Sequence, residues 1–87
     1  MKYEIRLSRR AERDLDRLDQ NTRRRVLRRL DQLAEDPFAS RLSAPLTGKD
    51  ELRKSRIGGW RIIFQVTEDT VVFVVMIERR GQVYQRI

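Results

Sequence analysis

The sequence predicts an α+β fold: an N-terminal strand, then an antiparallel helical hairpin packed on one face of a mostly antiparallel sheet of four or five strands. Three observations carry this reading. Residues 2–7, "KYEIRL", alternate charged and apolar side chains with period two. Two amphipathic stretches of helical period follow, interrupted at "DQNT". Three strand-like runs then occupy about 51–57, 60–67 and 70–77, separated by Gly58–Gly59 and by "TEDT".

In the opening run Tyr3, Ile5 and Leu7 share one face, and Lys2, Glu4 and Arg6 the other, as in a half-buried strand. Ser8 is placed to cap a helix whose apolar positions are Ala11, Leu15 and Leu18. A second helix is expected from about Thr22, with Val26, Leu27, Leu30, Leu33 and Ala34 inward. It should stop near Asp36, because the residue before Pro37 is disfavoured in helical conformation. The short connection makes the two helices antiparallel neighbours. Residues 37–48, "PFASRLSAPLTG", form a loop expected to be pinned by Phe38, Leu42 and Leu46. The run "TVVFVVMI" is apolar at both parities, which suits a central strand covered on both faces or nearly so. "QVYQRI" is expected to be a short fifth strand or an extended tail.

Eighty-seven residues form a single domain, 1–87, with one modest core. Lys and Arg number 20 against 13 Asp and Glu, a net charge of +7 that favours polyanionic partners. The chain has neither cysteine nor histidine, which excludes disulfides and thiolate catalysis and argues against a transition-metal site. No apolar stretch approaches the roughly 20 residues of a membrane span. "MKYEIRLS" lacks the continuous apolar segment of a signal peptide, so a cytoplasmic protein is expected.

The cations gather at particular strand positions. Alternation in 60–66 sends Trp60, Ile62, Phe64 and Val66 toward the helices and Arg61 to the opposite, open face. Lys54 and Arg56 share a parity, and the Gly58–Gly59 hairpin sets them near Arg61. Arg79 and Arg80 leave the end of the next strand, and Tyr84 follows Gly81. Such arginines can simply protect an edge or solubilise a sheet. Their sharper use is phosphate binding, since arginine offers a fork of donors and lysine a movable point charge. A phenol among them can stack on a base or exchange a proton. Substitution on an open face should leave the fold intact. The run "TRRRVLRR" carries Arg23, Arg24, Arg25, Arg28 and Arg29. It reads as a solvated helix face neutralised by Asp14, Asp16 and Asp19, with secondary contact to RNA as the alternative.

From the opening strand and "AERDLDRLD", through "LAEDPF" and "PLTG", to "RIGGWRIIFQV" and "IERRGQVYQRI", the chain resembles the RelE/ParE toxin superfamily, and its RelE branch most. The resemblance implies the toxin of a type II toxin–antitoxin pair with a RelE-like fold. It implies a metal-independent, cofactor-free mRNA interferase that enters the ribosomal A site and cuts mRNA by 2′-hydroxyl attack on the adjacent phosphate. By the same resemblance, Lys54, Arg56, Arg61, Arg80 and Tyr84 are the catalytic residues. Lys54, Arg56, Arg61, Arg79 and Arg80 would bind nucleic acid. Partners would be a RelB-like antitoxin, the ribosome and mRNA, with DNA reached only through the antitoxin complex. Where the family often has "GHRREVY", this chain has "ERRGQVY". Arg79 therefore replaces a histidine, and Glu78 replaces a glycine and is expected to pair with Arg79. Alternatives are a ParE-like toxin that inhibits DNA gyrase and a non-catalytic RNA-binding domain.

Overall fold

A computed structural model describes residues 2–48 and 51–79. The element order is β1 (Glu4–Leu7), α1 (Arg9–Arg17), α2 (Gln20–Glu35), β2 (Ala44–Pro45), β3 (Arg53–Ile57), β4 (Trp60–Thr67) and β5 (Val71–Arg79). The strands form one sheet in the order β1-β5-β4-β3-β2. Neighbours are antiparallel except β1, which runs parallel to β5 with Glu4 opposite Val71 and Leu7 opposite Val74. The helical pair carries the chain from β1 to the far edge of the sheet, and β2, β3 and β4 lead it back to β5 beside β1.

Both helices start where a side-chain oxygen meets free backbone N–H groups. Ser8 Oγ accepts from the Ala11 N–H at 3.0 Å and donates to the Val75 carbonyl at 2.6 Å, so it fixes α1 to β5. α2 begins two residues before the expected Thr22, because Asp19 is the cap. Its carboxylate accepts from the Thr22 hydroxyl at 2.6 Å and the Thr22 N–H at 3.2 Å, and these bonds hold its pKa below the ordinary value. Arg23, in the first turn of α2, closes the same connection from the other side, donating to the carbonyls of Leu15 and Asp16 in the last turn of α1. Asp14 does not face the α2 arginines either. It accepts from the Ile77 N–H at 3.0 Å, on the edge of β5 beyond the end of β1, and lies 3.7 Å from Arg10. Of Asp14, Asp16 and Asp19, expected to neutralise the α2 arginines, Asp14 instead binds the β5 backbone, Asp19 caps α2, and Asp16 offers Arg23 its backbone carbonyl.

One face of the sheet packs on the helices. Ile57, Ile62, Phe64, Val72, Val74 and Ile77 meet Ala11, Leu18, Val26, Leu30 and Leu33 there. Trp60 and Val66 pack at its margin, as their parity predicts. Leu27 departs from expectation, since 44% of it is exposed. On β5 the apolar run is covered by helices on one face only, and Val71, Phe73 and Met76 on the outer face are half-buried.

The connection after α2 is not wholly a loop. Its Ala44 and Pro45 pair with Lys54 and Arg53, which makes β2 the fifth strand. Leu42 pins the segment as expected, whereas Phe38 stays 51% exposed beneath the Arg53 guanidinium, 5.1 Å from its ring centroid. "QVYQRI" lies outside the described residues. Between β4 and β5, Glu68 and Asp69 have φ of 56° and 58°, and the Thr70 N–H donates to the Thr67 carbonyl at 3.2 Å. Two consecutive left-handed residues are the signature of a type I′ turn, which favours Asn-Gly. The double substitution Glu68→Asn, Asp69→Gly should therefore raise stability by roughly 1 kcal/mol in a thermal melt. An unchanged or lower Tm would show that this turn carries no conformational cost. Among the described residues no helix is long and apolar enough to cross a membrane.

Candidate nucleic-acid interface

Strand register decides which cations meet. Lys54 lies opposite Ile63, and Arg56 opposite Arg61. All four side chains share the outer face, turned away from α1 and α2, because Ser55, Ile57, Ile62 and Phe64 take the inner one. Lys54, Arg56 and Arg61 are thus brought together on one face, as their spacing predicts.

The accessibility of Arg61 is not as predicted. It is only 8% exposed and is paired with Glu78, itself 8% exposed. Its Nε and NH2 both approach Glu78 Oε2, at 2.7 and 2.6 Å. The expectation that Glu78 pairs with Arg79 is therefore wrong: register sets Glu78 opposite Arg61 and Arg79 opposite Trp60. Arg79 extends over the Trp60 ring, 5.4 Å from its centroid, and so belongs to the inner side of the sheet at its margin. A row of Arg56, Arg61 and Glu78 crosses three strands. Two like charges directly opposite each other repel, and the carboxylate offsets that repulsion from the other side.

The bulge in β5 causes this pairing. Ile63 faces Met76 and Phe64 faces Val74, which leaves Val75 without a partner. The register at the turn, Thr67 opposite Val71, would otherwise have set Arg61 opposite Ile77. The extra residue brings Glu78 across instead, and Ser8 holds the bulge through its carbonyl.

Beside this row the outer face meets the sheet edge. A groove of about 410 Å³ opens there, lined by Arg29, Ser40, Arg41, Ala44, Lys54 and Arg56 among others. Arg29 comes from α2, where the run of arginines predicts a solvated helix face. Its Nε instead donates to Gln32 Oε1 at 3.0 Å, and its NH1 to Ser55 Oγ and the Arg56 carbonyl, both at 2.8 Å. Burial first, and then the charges of Arg25 and Arg41, lower its pKa. The sequence signal for Arg29 is its spacing, three residues from Val26 and four from Leu33, which sets it beside the buried stripe of α2. Arg41 gave no signal, because nothing in a loop's composition says which strand it will flank. Arg80 and Tyr84 lie outside the described residues.

This arrangement can hold oxyanions across β3 and β4, and the same architecture occurs in known proteins. RelBE2, a toxin–antitoxin complex of Mycobacterium tuberculosis, matches with a TM-score of 0.80 at 23% identity, over 92% of this chain and 100% of that one. The RelE–RelB complex of Pyrococcus horikoshii gives 0.77 at 25%, over 94% and 99%. The isolated RelE toxin of E. coli gives 0.77 at 25%, over 97% and 93%. No curated protein matches the chain. The family model for the ParE toxin of type II toxin–antitoxin systems matches residues 5–84, nearly the whole sequence from β1 onward. With two helices on a five-stranded sheet and that match across it, the chain belongs to the ParE toxin family, within the RelE/ParE superfamily of type II toxin–antitoxin toxins.

Proposed function

We propose that this toxin is a ribosome-dependent endoribonuclease that cleaves mRNA in the A site and so stops translation. The observation that carries the reading is the convergence of Lys54, Arg56 and Arg61 on one outer face of β3 and β4. In the proposed reaction the mRNA 2′-oxygen forms a bond to the adjacent phosphorus, and the bond from phosphorus to the 5′-oxygen breaks. A 2′,3′-cyclic phosphate and a 5′-hydroxyl result. Negative charge grows on the non-bridging oxygens as the new bond forms, and fixed guanidinium and ammonium donors stabilise it. The Glu78 carboxylate engages Nε and NH2 of Arg61 and leaves NH1 for the phosphate. Arg80 and Tyr84 complete the set by resemblance, with Tyr84 stacking on a base or moving a proton. The absence of histidine makes positioning by the ribosome the larger contribution, worth roughly 7–11 kcal/mol when reacting groups are aligned. A RelB-like antitoxin would be the partner and would inhibit the toxin; the matching structures from Mycobacterium tuberculosis and Pyrococcus horikoshii are a toxin–antitoxin complex and a RelE–RelB complex.

A second reading, inhibition of DNA gyrase, is favoured by the closure of Arg61 on Glu78, which withdraws charge from the row. The match to the ParE family model points the same way. Primer extension on mRNA from translating ribosomes, run beside a gyrase supercoiling assay, separates the two. The expected result is cleavage within A-site codons with supercoiling unaffected. Intact mRNA with inhibited supercoiling would reject the nuclease and leave the gyrase reading.

A further inference from the structure

The groove at the β2–β3 edge has a construction that the cleavage row does not require. β2 ends its pairing at Ala44 opposite Lys54. Beyond it, the carbonyl of Arg56 is taken by Arg29 NH1. Three bonds from Nε and NH1 hold the Arg29 guanidinium rigidly at the mouth of the groove, and none of them uses NH2. Arg41 faces it from the connection after α2, and among the described residues none that lines the groove carries a carboxylate. Lys54 and Arg56 line the groove and also belong to the outer-face row. One continuous cationic path therefore runs from Arg61 across β3 and over the sheet edge to Arg29 and Arg41.

We infer that this groove is a second phosphate subsite, which holds the backbone of single-stranded RNA beside the bond cut on the outer face. The inference rests on the RNA-cleaving reading. A fixed guanidinium opposed by an exposed one suits the fork geometry of phosphate oxygens. A phosphodiester strand supplies what the path needs, since it repeats its charge at regular intervals and can engage Lys54 and Arg41 at once. An acidic peptide would meet the same charges with carboxylates on flexible side chains, whereas RNA carries its charge in the backbone itself.

The test is binding of a labelled oligouridylate of roughly ten nucleotides to the purified chain, by fluorescence anisotropy over a range of salt. Arg41 is the residue to change, because it is exposed and Arg29 also ties α2 to β3. Arg41→Gln should weaken binding about tenfold at low salt and reduce the log–log salt slope by about 0.7. Inorganic tripolyphosphate should compete with RNA on the wild type and lose that effect in the variant. If Arg41→Gln binds as wild type while Lys54→Gln is weakened, the groove subsite is rejected and the outer-face reading stands. If both variants bind as wild type, the RNA-cleaving reading falls with it. Should Arg41→Gln lose affinity for polyglutamate but not for RNA, the groove takes an acidic peptide and the proposal is overturned.

Discussion

Replacing Glu78 by leucine should destabilise the protein by about 3–5 kcal/mol, because it leaves the Arg61 cation buried with no counter-charge. Arg61 and Glu78 are each only 8% exposed, and their contacts at 2.6 and 2.7 Å lie at the short end of charge-assisted bonds. Arg56 stands directly across from Arg61, so removal of the carboxylate also restores an unrelieved like-charge pair. Glu78→Gln should lose less, since an amide oxygen still accepts from the guanidinium although the charge is gone. Small domains are stable by only about 5–15 kcal/mol in all, so the leucine variant should sit near its folding limit. Urea denaturation of the three proteins measures this. Equal midpoints would mean that water reaches the pair and screens it as it does a surface ion pair.

This pairing also marks where the sequence stopped being legible. The fold followed from local signals: period two in 2–7, the Ser8 cap, the stop at Asp36 before Pro37, and the turns at Gly58 and Glu68. Each is decided within a few residues. β2 leaves no sequence signal, because two residues, one of them proline, carry no period. The parallel pairing of β1 with β5 was beyond local signals too, since it joins positions 67 residues apart. The start of α2 is ambiguous in the sequence because both Asp19 and Thr22 are good capping residues, and here they bond each other.

For the candidate site, parity was enough to bring Lys54, Arg56 and Arg61 to one face. It was not enough to say what Arg61 touches. That depends on a single unpaired residue, Val75, in a run of valines where no side chain marks a bulge. The chain's departure from its family at Glu78 was visible, and adjacency in sequence suggested Arg79 as the partner. Neighbours along a strand point to opposite faces, so the cross-strand residue takes the carboxylate instead.

The same geometry changes how the chemistry must be tested. Arg61→Ala alone would abandon Glu78 in a buried site, so a slow variant could simply be an unfolded one, contrary to the expectation for an open-face residue. Changing both partners avoids this. Arg61→Met with Glu78→Leu replaces a buried ion pair by apolar groups of similar volume, an exchange that is often neutral or stabilising. Its melting temperature should lie close to wild type and well above that of Glu78→Leu. If Arg61 NH1 meets the phosphate as charge develops, single-turnover cleavage at saturating ribosomes should still fall about 10²–10³-fold. Ribosome binding should change far less, because the lost bond is stronger in the transition state than in the ground state. Lys54→Gln, which leaves the ion pair intact, should also slow cleavage and needs no such compensation. A folded double variant that cuts at the wild-type rate would make Arg61 a structural partner of Glu78 alone. The phosphate would then be held by Lys54 and Arg56, and the arginine at the centre of the row would serve to keep β4 and β5 in register.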